Sequence, residues 1–330
     1  MISEAERENI TRWGGGPGHY EVYYIKFNHR QSATACWIRY TLRVPYSGRA
    51  VAELWGIFFD AKDPAKTMAA RNTFPLSKAE IERDRFLFKA GDAMIAQTRA
   101  IGTVRGREGT MRWDLRFEPM IRLFRHFPYD FMYRAGLPAT KAVSPNFSIK
   151  VYGTFEINGR TYVCRGEPGQ QTHLWGTRHA DQWTWANCNS FRQDGSAVFE
   201  GLSARVKAGG IMSPALTLFF IRYRGKDYRL NGIARLLTNR SKAAFPVWEL
   251  GGALGGTRFR GILGAPVKTF VGVEYIDPDG ERLWCYNTGV ADMELAVYEH
   301  GTRTATLTSE GTSSLEFGGR AMIPGISIRI

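Results

Sequence analysis

Large apolar side chains alternate with small or polar ones along much of this 330-residue chain. The alternation is clearest in QWTWANCN, residues 182–189, where a period of two would place Trp183 and Trp185 on one face of an extended strand. Similar stretches recur along the chain, separated by turn signals such as Asn158-Gly159. The pattern predicts an all-β chain of antiparallel strands with short capping helices.

Capping boxes interrupt the β pattern in the N-terminal half. Ser3 and Glu6 stand three residues apart and predict a short helix over residues 4–12. Residues 77–80 repeat this spacing and predict a second short helix. Between residues 119 and 145, four prolines and several aromatic residues predict a long connection, either a lid or a packed surface crossover.

The two halves of the chain place their predicted strands at similar intervals. The paired stretches are residues 20–28 with 183–191, 53–59 with 216–222, and 112–113 with 282–284, offset by about 163 to 170 residues. Identity between the halves is minimal, but the spacing predicts two copies of one antiparallel architecture, either barrels or sandwiches. We therefore predict two domains, residues 1–180 and 181–330. A barrel of about eight strands has room for one small hydrophobic ligand.

Composition is that of a globular protein, with 44% hydrophobic and 23% charged residues. The formal net charge of +13 raises the question of a nucleic-acid partner. The basic residues are spread along the chain, and no zinc-finger, homeodomain or RRM signature is present. We expect no specific nucleic-acid partner, while the basic surface leaves room for peripheral contact with an anionic membrane.

The cysteines, Cys36, Cys164, Cys188 and Cys285, are far apart and lack metal-ligand spacing. We therefore predict reduced thiols and no metal site. The N-terminal residues are charged and include no apolar signal region, and no apolar stretch is long enough to span a membrane. These features predict a soluble cytoplasmic protein.

The middle of the sequence concentrates side chains suited to a pocket for a hydrophobic ligand, since indoles, imidazoles and carboxamides combine apolar walls with a few polar contacts. His173 and Trp175 stand two residues apart and precede Trp183 and Trp185. An all-β core whose buried Trp and His bond internally explains the same residues equally well.

The motif His173-x-Trp175-Gly176, followed by Trp183-x-Trp185, resembles the mid-chain motif of the tandem-lipocalin family. That family includes carotenoid 1,2-hydratases, AttH-type proteins, lipocalin-like Diels–Alderases and, more distantly, tocopherol cyclase. The resemblance implies two lipocalin-like barrels packed together, with a ligand bound within or between them. It also implies that His173 and Trp175 match positions associated with activity in the hydratases.

The chain departs from the hydratase pattern in its acidic residues. Thr172 stands where an acidic residue commonly precedes the histidine, and Glu200 is the nearest acidic candidate downstream. A carboxyl group in an apolar pocket stays protonated near neutral pH, and aromatic faces stabilise a neighbouring cation. We therefore predict His173 and Glu200 as catalytic residues. The predicted ligand-binding residues are Trp175, Arg178, His179, Trp183, Trp185, Asn187, Asn189, Tyr23, Glu53 and Trp55.

The function predicted from these residues is that of a cyclase, isomerase or hydratase that uses no cofactor. Its substrate would be a hydrophobic, isoprenoid- or polyketide-like molecule held in a barrel pocket. The alternative is a carrier that binds a lipid-like ligand without chemistry. The two differ in the pocket, because an enzyme directs a titratable group at its ligand and a carrier requires only apolar walls with a polar mouth.

Overall fold

A computed structural model describes residues 2–330 of the chain. The all-β prediction is confirmed, because two large antiparallel sheets account for most of the described residues. A separate two-stranded hairpin is formed by β14 (Lys207–Ala208) and β15 (Ile211–Met212). The helices are short: α1 (Glu4–Asn9), α2 (Asp130–Arg134) and α3 (Ile233–Thr238).

The first sheet has 11 strands and curls until its fourth strand approaches its eighth. Its strands are β1 (His19–His29), β2 (Thr34–Val44), β3 (Val51–Asp60), β4 (Met68–Pro75), β5 (Ala79–Ile81), β6 (Leu87–Ala90), β7 (Ala93–Ala96), β8 (Arg99–Gly106), β9 (Gly109–Arg125), β10 (Thr140–Ile157) and β11 (Arg160–Gly176). The strand order is β4-β3-β2-β1-β11-β10-β9-β8-β7-β6-β5. Asn72 on β4 bonds to the backbone of Arg105 on β8, through its amide nitrogen at 2.8 Å and its oxygen at 3.0 Å. These bonds help to close the sheet into a barrel-like form.

The second sheet has 10 strands. They are β12 (Gln182–Cys188), β13 (Val198–Arg205), β16 (Leu216–Tyr223), β17 (Lys226–Leu230), β18 (Arg240–Ala244), β19 (Val247–Leu254), β20 (Thr257–Gly264), β21 (Val271–Ile276), β22 (Arg282–Glu299) and β23 (Thr302–Gly319). The main order is β17-β16-β13-β12-β23-β22-β20-β19-β18, and β21 also pairs with β22. Asn239, just before β18, donates to the carbonyls of Thr217 and Leu230, which brings the two ends of this sheet together.

The strand orders confirm that one architecture occurs twice. In the first sheet β1 lies between β2 and β11, and in the second β12 lies between β13 and β23. The predicted matches of β1 with β12 and of β3 with β16 agree with these positions. The third match is wrong, because β9, which carries Trp113, corresponds by position to β20, whereas Trp284 lies on β22. The polypeptide passes between the sheets within residues 177–181, and the division into two domains at residue 180 stays a prediction.

The local predictions had mixed outcomes. Ser3 caps α1 by accepting the backbone N–H of Glu6 at 3.1 Å, although the helix ends at Asn9. The second predicted helix, at residues 77–80, is wrong, since Leu76–Lys78 form one 3₁₀ turn and β5 follows directly. The long connection is also wrong in extent, because β9 and β10 continue into it and leave only residues 126–139 between them. A strand can extend through such aromatic-rich sequence because the neighbouring strands satisfy its backbone.

Each sheet encloses its own apolar core, and a further apolar cluster joins the two sheets. On β1, Tyr23 points into the first core, while Tyr20 and Tyr24 point to the cluster between the sheets. On β12, Ala186 points into the second core and Trp185 into the cluster between the sheets. This is the alternation expected of strands, and it places the mid-chain tryptophan against the other sheet instead of inside a barrel.

Two further observations concern membrane-spanning helices and the cysteine and metal-ligand side chains. Over residues 2–330, none of the helices is both long enough and apolar enough to span a bilayer. All four cysteines are buried and unbonded, and the described residues contain no group of three or more His, Cys, Asp or Glu placed to hold a metal ion.

Candidate active site between the two sheets

His173, a predicted catalytic residue, lies at the end of the first core and is 0% exposed. Its Nε2 is 2.8 Å from the carboxylate of Glu21, and its Nδ1 is 2.6 Å from the carbonyl oxygen of Glu8. A carboxylate and a carbonyl can only accept hydrogen bonds from the ring. Both nitrogens of His173 are therefore occupied by the protein.

The carboxylate that binds His173 is sealed by the N-terminal segment. Glu21 accepts hydrogen bonds from the Thr11 hydroxyl and the Arg12 backbone, both at 2.6 Å, and from the Tyr23 hydroxyl at 3.0 Å. Burial alone would raise the pKa of Glu21, but its hydrogen bonds, first among them that from His173, outweigh burial and lower the pKa well below its usual range. Tyr23 stacks on His173 with 4.4 Å between ring centroids. The segment that follows α1 therefore plugs this end of the barrel.

Glu200, the other predicted catalytic residue, is 0% exposed and lies between the sheets. Its four donors are His126 at 3.0 Å, Trp185 at 2.8 Å, and Gln170 and Asn187, each at 2.9 Å. Two donors on each oxygen compensate the carboxylate for its loss of water. The arrangement is that of a buried polar network holding the sheets together.

Lys26 belongs to the same buried region. Its ammonium donates to Asn189 at 3.3 Å, and burial lowers its pKa to about 8. Asn189 donates in turn to the carbonyl of Gly169, and Asn187 to that of Phe199. The two asparagines that the sequence assigned to ligand binding thus make their side-chain contacts within the protein.

The structure does not bring His173 and Glu200 together in one site. They face opposite sides of β11: Gln170 points outward to Glu200, whereas Gln171 and His173 point inward to the N-terminal plug. Their assignment as catalytic residues stays a prediction. Neither side chain lines any of the clefts described below.

His179, predicted as a ligand-binding residue, differs from His173 and Glu200 in being partly exposed. It lies in the crossing between the sheets with 14% of its side chain exposed. Its Nδ1 donates to Asp277 Oδ1 at 2.6 Å, and its backbone N–H donates to the same oxygen at 3.1 Å. Arg320 holds the second oxygen of Asp277 at 2.6 Å. Nε2 of His179 has no hydrogen-bond partner among the described residues.

The charges of this pair are set by opposing effects. Burial lowers the pKa of His179, and the hydrogen bond and charge of Asp277 offset only part of that lowering. For Asp277, burial would raise the pKa, but the hydrogen bonds and charge of His179 and the contact with Arg320 outweigh burial and lower it. Near neutral pH the pair is therefore a neutral imidazole beside a carboxylate, with Nε2 able to accept a proton.

A narrow cleft of about 20 Å³ opens beside His179. Its walls are Tyr20, Arg39, Thr41, Arg43, Glu53, Trp55, Arg71, His179, Glu274, Tyr275 and Ile276. Tyr20 stacks on His179 with ring centroids 4.2 Å apart, and Tyr275 stacks on it at 5.5 Å. Three residues predicted to bind ligand, Glu53, Trp55 and His179, thus line one cleft between the sheets.

The remaining predicted residues lie around this cleft or away from it. Trp183 stacks on Tyr275 and donates to Glu316 at 2.5 Å. Arg178 is exposed and lies near two aspartates of neighbouring turns. Trp175 and Tyr23 belong to the region of His173, where Arg12 covers the Trp175 ring at 5.2 Å.

A larger opening of about 490 Å³ lies at the end of the second sheet. Trp183, Tyr286 and Phe317 supply apolar walls, and Lys242 and Arg320 supply positive charge. Its volume falls in the range of small-molecule pockets. Trp183 and Arg320 connect this opening with the His179 region, because Trp183 lies 5.9 Å from the His179 ring and Arg320 bonds to Asp277.

Several residues in and around the cleft were missed by sequence reasoning. Asp277 directly follows β21, in a turn that resembled an ordinary Asp-Gly loop, and it lies 98 residues from His179. Arg39 did carry a signal, because it is a charged residue in the otherwise largely apolar stretch of β2. Tyr20, Arg320 and Tyr275 join the site only through the packing of the two sheets.

The sequence model described as tocopherol cyclase-like matches residues 89–319. This chain belongs to that family. The match extends from the middle of the first sheet through the last strand of the second, and it includes His173, His179, Glu200 and Asp277. The suspected relationship with the tandem-lipocalin proteins is thereby confirmed.

Individual relatives are distant but nearly full-length. Uncharacterised proteins from two Mycobacterium tuberculosis strains, CDC 1551 / Oshkosh and H37Rv, are each 24% identical over 96% of this chain and 92% of their own length. An AttH-type protein from Nitrosomonas europaea has a TM-score of 0.52 at 12% identity, covering 92% of both chains. Kievitone hydratase from Nectria haematococca has a TM-score of 0.51 at 9% identity, covering 96% of this chain and 93% of that one. At these identities the structural likenesses show a shared fold.

Proposed function

We propose that this protein is an enzyme of the cyclase or hydratase type that acts on a hydrophobic, isoprenoid- or polyketide-like substrate without a cofactor. The observation that carries the proposal is the free Nε2 of His179 on a cleft, with Nδ1 held by Asp277. Membership of the tocopherol cyclase-like family and the fold shared with a hydratase support the same reaction class.

In both reactions an O–H group adds across a carbon–carbon double bond. The oxygen bonds to one carbon, the hydrogen to the other, and no net oxidation occurs. A single group that removes the proton from oxygen and returns it to carbon is therefore sufficient. His179 is suited to this role, because its neutral Nε2 accepts a proton and Asp277 stabilises the resulting imidazolium.

The cleft walls support the same chemistry. Tyr20 and Tyr275 stack on His179, and such rings attract the positive charge that the imidazole gains when it takes up the proton from oxygen. Arg320 fixes Asp277 through its second oxygen, so the carboxylate remains oriented toward His179. These contacts support the roles that we propose for Asp277 and Arg320, as positioning residues for the imidazole.

The test measures proton transfer to carbon directly. A panel of isoprenoid and polyketide alkenes that carry a free hydroxyl group is incubated with the protein in D₂O, and products are analysed by mass spectrometry. We expect a hydration or cyclisation product with one new carbon-bound deuterium. We expect His179→Gln to lower the rate by a factor of about 10² to 10⁴, the usual contribution of a general acid–base group.

The control variants are His173→Gln and Glu200→Gln, measured on protein whose folding is verified by circular dichroism. If turnover is retained in His179→Gln but lost in a folded His173→Gln or Glu200→Gln variant, the reaction belongs to one of the two buried sites and the assignment to His179 is wrong.

The carrier function remains a second candidate because of the 490 Å³ opening at the end of the second sheet. Its apolar walls would hold a lipid-like ligand without any proton transfer. Native mass spectrometry of the purified protein distinguishes the two functions. A co-purified lipid that is recovered unchanged, together with no deuterium incorporation in any panel member, would favour the carrier.

A further inference from the structure

Trp55 carries an unsatisfied donor in the wall of the His179 cleft. The side chain is 2% exposed, and its Nε1 has no hydrogen-bond partner among residues 2–330. A buried N–H without an acceptor costs free energy, because it has lost its hydrogen bond to water and gained none in return. An unsatisfied donor of this kind in the wall of a cleft calls for an acceptor from outside the chain, either a water or a ligand group.

Two arginines flank the same indole. The guanidinium of Arg39 lies 5.0 Å from the Trp55 ring and that of Arg71 lies 4.8 Å from it. Arg39 is only 5% exposed and also lies 4.3 Å from the ring of Tyr275. Its Nε donates to Thr41, but within the described part of the chain neither Arg39 nor Arg71 has a carboxylate within 4 Å.

The other charged groups of the cleft are accounted for. Glu53 lies 3.9 Å from Arg43, and both line the cleft. Glu274 also lines the cleft and lies 3.2 Å from Arg282, which does not. Asp277 is held by His179 and Arg320. The charge of Arg39 also acts on the buried Glu316, which accepts the indole N–H of Trp183. Among the described residues, Arg39 and Arg71 therefore bring positive charge to the cleft without a carboxylate in direct contact, and a buried guanidinium without a contacting anion is unfavourable.

We propose that Arg39, Arg71 and the indole N–H of Trp55 form a subsite for the carboxylate of an acidic substrate. A planar carboxylate matches the planar donor fork of arginine, and its second oxygen is free to accept the indole N–H. The subsite rests on the proposed function, because it assumes that the His179 cleft receives the substrate.

Calorimetric titration with benzoate tests the subsite, with benzamide as the neutral match of the same shape and acetate as the head group alone. Chloride and inorganic phosphate are titrated at the same ionic strength. We expect benzoate to bind the wild-type protein and benzamide to bind at least 10-fold more weakly. Trp55→Phe and Arg71→Gln should each weaken benzoate by about 10-fold or more, as expected for a hydrogen bond to a charged group.

The matched control is Arg303→Gln, which removes the same charge from an exposed arginine that pairs with Glu294, and neither residue lines the cleft. It should leave benzoate affinity unchanged. Arg71 is half-buried, so Arg71→Gln keeps the test valid if the buried Trp55→Phe variant fails to fold. Equal binding of benzoate and benzamide, an equal loss in Arg303→Gln, or chloride or phosphate binding as tightly as benzoate would each overturn the proposal.

The same experiment separates this subsite from the proposed reaction. His179→Gln should keep the preference for benzoate over benzamide, because His179 is not one of the three donors to the carboxylate. If benzoate binds at the subsite while His179→Gln remains active, the subsite stands and the assigned acid–base residue is wrong. If benzoate does not bind while His179→Gln loses turnover, the subsite is wrong and the assigned acid–base residue stands.

Discussion

Two histidine–carboxylate pairs in this molecule look alike in isolation but differ in what surrounds them. His173 contacts Glu21 at 2.8 Å and His179 contacts Asp277 at 2.6 Å. Around His173 the second ring nitrogen meets a backbone carbonyl, and the N-terminal segment covers the carboxylate. Around His179 the second nitrogen is free and the ring lines a cleft.

The difference separates a histidine–carboxylate pair that holds the fold together from a pair that is available to a substrate. A histidine whose two nitrogens are both bonded by the protein stabilises the fold and has no site left for a substrate proton. A histidine with one nitrogen fixed and the other free is oriented and still available. By this criterion His173 and Glu21 fasten the N-terminal plug, and His179 and Asp277 are the pair to which we assign the proposed chemistry.

The largest expected effect is the difference between the two single variants His179→Gln and His173→Gln. His179→Gln should lower turnover by about 10² to 10⁴ with little change in the thermal midpoint, because it removes the proton acceptor from a partly open position. His173→Gln should instead lower the thermal midpoint while the folded fraction keeps its turnover per molecule. Activity assays and thermal unfolding on both variants check this, and the reverse outcome would show that the plug region is the catalytic one.

Glu21→Gln should destabilise the protein by about 3 kcal/mol at neutral pH, because it removes one partner of a buried pair. The lowered pKa of Glu21 also fixes the pH dependence. An ionised Glu21 contributes stability above the usual carboxyl pKa of about 4.3, and this stability is lost as the pH falls through the lower pKa of the folded state. The free energy of unfolding, measured in urea at a series of pH values from 7 to 3, should therefore fall less with decreasing pH in Glu21→Gln than in the wild type.

Asp277→Asn should lower turnover by about 100-fold and move the acidic limb of the kcat/KM pH profile to lower pH. The shift follows because the carboxylate raises the pKa of His179, so an amide in its place leaves the imidazolium less stable. Asp279→Asn is the control, since Asp279 lies in the same turn and faces Arg178 instead of His179. An unchanged profile in Asp277→Asn would contradict the assigned pair.

Ser3→Ala should have the smallest effect, a loss of about 1 kcal/mol confined to the N-terminal plug. Ser3 caps α1 through the N–H of Glu6, and α1 leads into the segment that covers Glu21. Hydrogen exchange of residues 4–12 should become faster, with turnover unchanged. Ser77→Ala is the matched control, because Ser77 belongs to the other predicted capping box, which forms no cap.

Much of the fold was accessible from sequence, whereas the site was accessible only in part. Period-two alternation along QWTWANCN predicted which face each side chain takes, and Trp185 and Ala186 do point to opposite sides. The same pattern could not tell that Trp185 would meet Glu200 instead of a ligand. Ser3 and Ser77 show a further limit: the same capping spacing ends in a helix at one place and a strand at the other, because sheet pairing overrides local propensity.

The sequence by itself determined the all-β architecture and its repetition, because alternation and strand spacing are properties of neighbouring residues along the chain. Only the tertiary structure decided which histidine is free to act. His173 and His179 stand only six residues apart in the sequence. Their environments are set by Glu8, Glu21 and Asp277, which reach them through the folding of one sheet and the packing of the other. Burial and hydrogen-bond saturation depend on those distant partners, and no local pattern encodes them.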